Sequence, residues 1–165
     1  SLFGPEGEQR GEPWAYPGLK RTTPLPNLTL GKPTVTEPAD SDVEHKGGNA
    51  VDGIVDKETH WGARAPASLR IDLEEVYRLG EIHVFPYWDG RHYKYTVEVS
   101  QDGETWTEIV DRRNNTERAT PRGHVHTFDA APARYVRVNM LENSANIAVH
   151  LAEVRVFEAE SKDTE

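Results

Sequence analysis

Along the middle of this 165-residue chain, apolar and polar side chains alternate in short runs. Leu69, Ile71 and Leu73 are separated by Arg70 and Asp72, and Ile82 and Val84 flank His83. Tyr95, Val97 and Val99 interleave with Thr96 and Glu98. Val136, Val138 and Met140 do so with Arg137 and Asn139, and Ala152, Val154 and Val156 with Glu153 and Arg155. A period of two places every second side chain on one face, so each run predicts a half-buried strand. Turn-forming clusters punctuate them at Asp89-Gly90, Gln101-Asp102-Gly103, Pro121-Arg122-Gly123 and Ala131-Pro132. No long segment holds a 3.6-residue period. Several short strands joined by turns predict an all-β, mainly antiparallel sandwich or barrel.

The flanks differ from this core. Residues 1–26 carry Gly4, Pro5, Gly7, Gly11, Pro13, Pro17, Gly18, Pro24 and Pro26, which reads as a linker or the end of a preceding domain. Trp14 and Tyr16 within it are suited to packing on the domain or on a neighbour. Residues 160–165 read as a charged tail, which leaves 27–159 as the folded domain. The chain starts at Ser1 with no signal peptide, and so reads as a fragment of something longer.

A net charge of −9 argues against nucleic acid as partner and against an anionic membrane surface. No apolar run approaches the roughly 20 residues of a membrane span. With no cysteine there is neither a disulfide nor a thiolate metal site, which fits a cytosolic or a bacterial secreted protein.

Candidate chemistry begins at Asn49-Ala50-Val51-Asp52-Gly53, followed by Thr59-His60-Trp61. Asp52, Asp56, Thr59 and Gly53 lie within a few residues and the segment closes on a large aromatic. Hard cations take six to eight oxygen ligands, and a tight loop supplies carboxylates, a hydroxyl and carbonyls together. An acidic surface turn is the competing reading. Trp61 is placed to anchor the loop to an apolar core.

The order of motifs resembles the coagulation factor type C, or discoidin, family, galactose-binding-like in fold. It runs Asn27-Leu28-Thr29-Leu30-Gly31-Lys32-Pro33, the acidic loop, Leu69-Arg70-Ile71-Asp72-Leu73, then Tyr95 to Gly103 with Trp106. Ala133-Arg134-Tyr135-Val136-Arg137-Val138 and His150 to Phe157 complete it, covering residues 27–158. The resemblance implies a jelly-roll β-sandwich of about eight strands. Bacterial members are often family 32 carbohydrate-binding modules attached to glycan-degrading enzymes. It also implies a structural calcium, held by the side chains of Asp52, Asp56, Thr59 and Glu153 with carbonyls of Asn49 and Ala152. The loop from Asp52 to Thr59 is two residues longer than the commonest version, so Asp56 takes its role from its distance to Thr59.

A ligand site is expected on loops at one end of such a sandwich. Pro86 to Tyr93 breaks the alternation and carries Tyr87, Trp88, Asp89, Arg91 and His92. An aromatic face suits the C–H face of a sugar, and forked donors and carboxylates suit its hydroxyls. The family's sugar-binding arginine often lies just before this strand, which points first to Arg91. The plainer alternative has Tyr87 and Trp88 packed on the sheet and Arg91 paired with Asp89. Glu44 and His45 in the loop 40–48, and Asn143 and Asn146 before the last strand, are expected to flank the site. The aromatic that sugar-binding relatives often carry in that last loop is missing.

Seven histidines raise the question of a metal enzyme, but no H-E-x-x-H, G-x-S-x-G or phosphate loop occurs. His124 and His126, alternating on a strand, read as solvent-facing. The chain therefore reads as a non-catalytic, secreted or periplasmic carbohydrate-binding module, monomeric and tethered to a catalytic domain. A protein-interaction or adhesion module of the same fold is the alternative. A lipid-binding module ranks behind both, since the loop tips are mostly polar.

Overall fold

The computed structural model describes residues 25–40 and 43–160. Seven strands follow in order: β1 (Thr34–Glu37), β2 (Trp61–Arg64), β3 (Ala67–Pro86), β4 (Tyr93–Ser100), β5 (Thr107–Arg112), β6 (His124–Asn143) and β7 (Ala148–Glu158). Two short 3-10 turns, Val43–His45 and Gly47–Val51, precede β2. The linker expected over residues 1–26 and the tail over 160–165 fall almost wholly outside the described residues, as do two positions of the loop 40–48. No helix among the described residues is long and apolar enough to cross a membrane.

Two 20-residue strands organise the sandwich. The first half of β3 pairs with β1 and with the second half of β6, from Ala67 opposite Met140 to Asp72 opposite Tyr135. β4 and β5 extend this layer beyond β6. The second half of β3 pairs with the first half of β6, and on its other edge with β7, which pairs in turn with β2. All of these pairings are antiparallel. Register shifts between Asp72 and Tyr77 on β3, and again near Leu79, mark where both strands pass from one layer to the other, as bulges commonly do. At that corner Arg134 grips Asp72 with two bonds, 2.8 Å from Nε and 3.0 Å from Nη2.

The inward set of each predicted run forms the core. Leu69, Ile71, Leu73, Ile82, Val84, Tyr95, Val97, Val136, Val138, Met140 and Val154 are buried between the layers. Each fully buried aliphatic side chain contributes about 1.5–3 kcal/mol. Trp61 is completely buried and anchors the loop before it. Gly47 packs so tightly over β1 and β3 that a Cβ there would lie 2.8 Å from the Thr36 methyl.

Two expectations fail for stated reasons. Ala131-Pro132 is no turn between strands. It lies inside β6, where the bulge lets the chain continue and the proline sits opposite Arg78. His124 and His126 do not face water. Val125 does, 57 % exposed, while His124 is buried against the Tyr95 ring and His126 Nε2 lies 2.6 Å from the Tyr95 hydroxyl. The alternation is there but its phase is inverted, because the Tyr95 ring stacks on His124 and its hydroxyl gives His126 the polar partner that water would otherwise supply.

Burial, with Arg112 and His124 adding, pushes the His126 imidazole down to about 4. In the unfolded chain it titrates near 6.5, so between these values the unfolded state binds more protons. The stability tied to neutral His126 is full above about pH 6.5 and is lost as pH falls toward 4. Thermal melts of the protein and of His126→Gln should therefore lie closer together at pH 4.5 than at pH 7.5. A constant separation would show that His126 does not couple folding to protons.

Candidate functional site

Three connections meet at one end of the sandwich: the segment 43–60, the β3–β4 loop and the β6–β7 loop. The last two are stitched together, since the His92 amide donates to Ser144 Oγ at 3.0 Å and the Ser144 amide to the His92 carbonyl at 3.0 Å. Asn143 and Asn146 build their own loop. Asn143 donates to the Ala148 carbonyl at 2.7 Å and Asn146 accepts from the Ala148 amide at 2.8 Å. Their side chains thus shape this rim while part of their bonding capacity is already used.

Around Tyr87 the structure gathers rings that lie far apart in sequence. His60 and His150 are 5.2 Å and 5.3 Å from its centroid, and His45 is 4.7 Å from His60. The Arg91 guanidinium lies 5.5 Å from the Tyr87 centroid and Lys57 Nζ lies 5.3 Å from it. Trp88 is half-buried against the core. Arg91 reaches Asp89 through one long contact of 3.4 Å, and its Nε has no hydrogen-bond partner. Tyr87 and Trp88 do pack on the sheet, and the Arg91–Asp89 pair exists but is weakly made.

Tyr93 Oη and His150 Nδ1 share a hydrogen bond of 2.8 Å, with the Arg91 charge beside them. His60 Nδ1, 3.1 Å from the Lys57 carbonyl, donates there and keeps Nε2 as acceptor. Burial raises Tyr93 to about 12, with Arg91 opposing. Burial, then His60, Arg91 and His45, pushes His150 down to about 4, and burial lowers His60. Near neutral pH His60 and His150 are neutral rings beside the Arg91 and Lys57 cations.

His60, Tyr93 and His150 were not among the candidates in the sequence. A signal existed in Gly62, which breaks the strand-like run after Trp61. It sits opposite His150 across β2 and β7, and a Cβ there would lie 3.2 Å from the imidazole. Glycine inside a strand marks such a close approach.

The acidic loop packs on the other side of the 43–60 segment. Glu153, on β7, is 0 % exposed. Burial and then the Asp52 charge push its carboxyl up to about 8, with Arg155 opposing. It accepts from the Gly53 amide at 3.1 Å and lies 3.5 Å from Arg155 Nε. Asp56 is engaged elsewhere. One of its oxygens accepts from the amides of Glu58 and Thr59, each at 2.9 Å, and from Thr59 Oγ1 at 3.1 Å. The Asn49 side chain ties the carbonyls of Glu44 and His60 at 2.7 Å and 3.1 Å, and Ala152 is buried beside Glu153. Among the described residues no three acidic or imidazole side chains converge as a metal cage. Asp52 and Glu153 nonetheless fit a hard cation. They are oxygen donors, and a buried carboxylate facing a second one is relieved by positive charge.

A family model described as the F5/8 type C domain matches residues 34–154. The chain belongs to that family. Among curated proteins, human BTB/POZ domain-containing protein 9 is 31 % identical over 97 residues, which is 58 % of this chain and 15 % of that protein. The chain thus spans a small part of such relatives. Among solved structures, a family 89 glycoside hydrolase from Clostridium perfringens superposes with a TM-score of 0.71 at 26 % identity, over 84 % of this chain and 16 % of that one. CpGH89CBM32-6 from the same organism superposes with a TM-score of 0.64 at 25 % identity, over 81 % and 100 % of the two chains.

Within this F5/8 type C domain, removing the Tyr93 hydroxyl should free the His150 ring. Tyr93→Phe is expected to lower stability by about 1 kcal/mol in urea unfolding. The ¹⁵N spectrum of His150 should show a changed balance of tautomers. A mutant with the same midpoint and the same tautomer balance would mean that this bond does not hold the ring.

Proposed function

We propose that this domain is a non-catalytic carbohydrate-binding module whose site is the end of the sandwich built by Tyr87, Trp88, Arg91, His45, His60 and His150. One observation carries the reading: the Tyr87 ring, the half-buried Arg91 guanidinium and the His60 and His150 imidazoles meet at one place. Trp88 offers the flat apolar surface for a sugar ring, and Arg91, Asp89 and the imidazoles offer donors and acceptors for its hydroxyls. His92 and the asparagine loop form the rim. The likeness to CpGH89CBM32-6 supports a glycan ligand, and the likeness to a glycoside hydrolase supports attachment to a glycan-active enzyme outside the cell or in a periplasm.

Such a site is shallow, so one domain binds at about 0.1–1 mM and gains from repeats on a polymer. Trp88→Ala and Arg91→Ala should each remove most of the titration heat with a glycan hit from an array while leaving the melting temperature within a few degrees. Unchanged heat in both would move the site elsewhere on the domain.

Calcium belongs to the same proposal. Asp52 and Glu153 would hold it, with Asp56, Thr59 and the carbonyls of Asn49 and Ala152 as the further oxygens of the loop. A bound calcium supplies the positive charge that the buried Glu153 lacks. These residues would fasten the segment 49–60, and with it His60, to β7. Adding calcium to chelator-treated protein should raise the melting temperature, and Asp52→Ala or Glu153→Ala should abolish the rise. A rise that persists in both variants would place the ion elsewhere.

A second reading, recognition of a protein surface, is favoured by one feature. Leu30 and Ile54 are exposed apolar side chains beside Gly53.

A further inference from the structure

The site just described holds more positive charge than a neutral sugar needs. In a chain of net charge −9, two cations bracket the same ring, with Lys57 Nζ at 5.3 Å and Arg91 at 5.5 Å from the Tyr87 centroid. Lys57 forms no ion pair among the described residues, and apart from its contact with the Tyr87 ring its ammonium is left to solvent. Arg91 is 15 % exposed and packed beside the Tyr87 ring, so it does not swing away to find a counter-ion. Its partner Asp89 is 61 % exposed and makes a single 3.4 Å contact, which a better anion can replace. Of the carboxylates nearby, two do not compete for these cations, while Glu44 and Glu58 are exposed on the segment 43–60. Asp56 is closed in its own turn on Thr59, and Glu153 lies buried on the far side of the segment.

Resting on the carbohydrate reading above, we infer that the ligand carries a carboxylate or sulfate group on the sugar that stacks at this site. The two cations stand on either side in sequence of the aromatic pair, from different connections, so they meet an exocyclic anion only when the ring itself is seated. Arg91 offers planar forked donors that match either oxyanion, and Lys57 adds a point charge. The acidic remainder of the molecule repels anions at long range, but charges more than about 8–10 Å away are screened at physiological salt.

The test uses two matched pairs of oligosaccharides titrated calorimetrically at one calcium concentration. One pair is galacturonan in acid and methyl-ester form, and the other is galactan with and without sulfate. The acidic member of one pair should bind at least about tenfold more tightly than its neutral partner, and the pair that shows this names the anion. Lys57→Gln or Arg91→Gln should erase the preference. Asp89→Asn should strengthen acid binding about two- to fivefold, because a competing carboxylate is gone. For a neutral ligand, where Asp89 accepts from hydroxyls, the same substitution weakens binding. Equal affinity within both pairs, or binding of neutral glycans alone, overturns the acidic class and leaves the carbohydrate reading standing. Binding of no glycan by folded protein overturns both.

Discussion

The pairing of β3 with β6 carries the whole domain. Each strand crosses from one layer to the other, so the two layers share hydrogen bonds as well as a core, and neither can shift without breaking the ladder of the other. The crossing is held by the Arg134–Asp72 fork. Every other strand is registered against one of this pair or against a strand that is. The loops at the site end inherit that rigidity. The β3–β4 and β6–β7 connections leave from the ends of these two strands, and their mutual bonds through His92 and Ser144 join ends that are already fixed.

The two polar centres solve different electrostatic problems. At the site end, His60 and His150 are kept neutral by burial, His60 with its proton placed by the Lys57 carbonyl and His150 tied to the Tyr93 hydroxyl. Directional donors and acceptors are thereby presented without a cost in buried charge. At the acidic loop the imbalance is left unresolved, because Glu153 is enclosed with Asp52 beside it and has only the Gly53 amide and a 3.5 Å contact to Arg155 in return. The segment 49–60 runs between the two centres. Asn49 and His60 belong to one by position and to the other by contact, so the packing of the acidic loop bears directly on where His60 sits.

Much of the fold was legible before any coordinates. Alternation identified the inward faces of β3, β4, β6 and β7 because one face of each is dry. It lost phase at His124 and His126, where a buried tyrosine hydroxyl makes an imidazole acceptable inside. It missed the continuity of β3 and β6 because a bulge looks like a turn in sequence. It also gave no sign that Glu153 is enclosed on β7, against which the turn Gly47–Val51 packs. The site was legible for Tyr87, Arg91 and His45, whose loops stand out by composition. His60, Tyr93 and His150 were hidden inside a presumed metal loop and two strands. Their roles arise from pairing across β2 and β7, which no local pattern encodes.

The entry and exit of the domain lie side by side. The Leu28 amide donates to the Val156 carbonyl at 2.8 Å, Asn27 Oδ1 accepts from the Val156 amide at 3.1 Å, and Thr29 Oγ1 donates to the Val154 carbonyl at 2.7 Å. Flanking sequence therefore arrives and departs at a single clasp. A fold closed in this way can be spliced as a cassette into the loop of a host protein without forcing the host's two stubs apart, and tension applied through those stubs would load the clasp before it reached the strands.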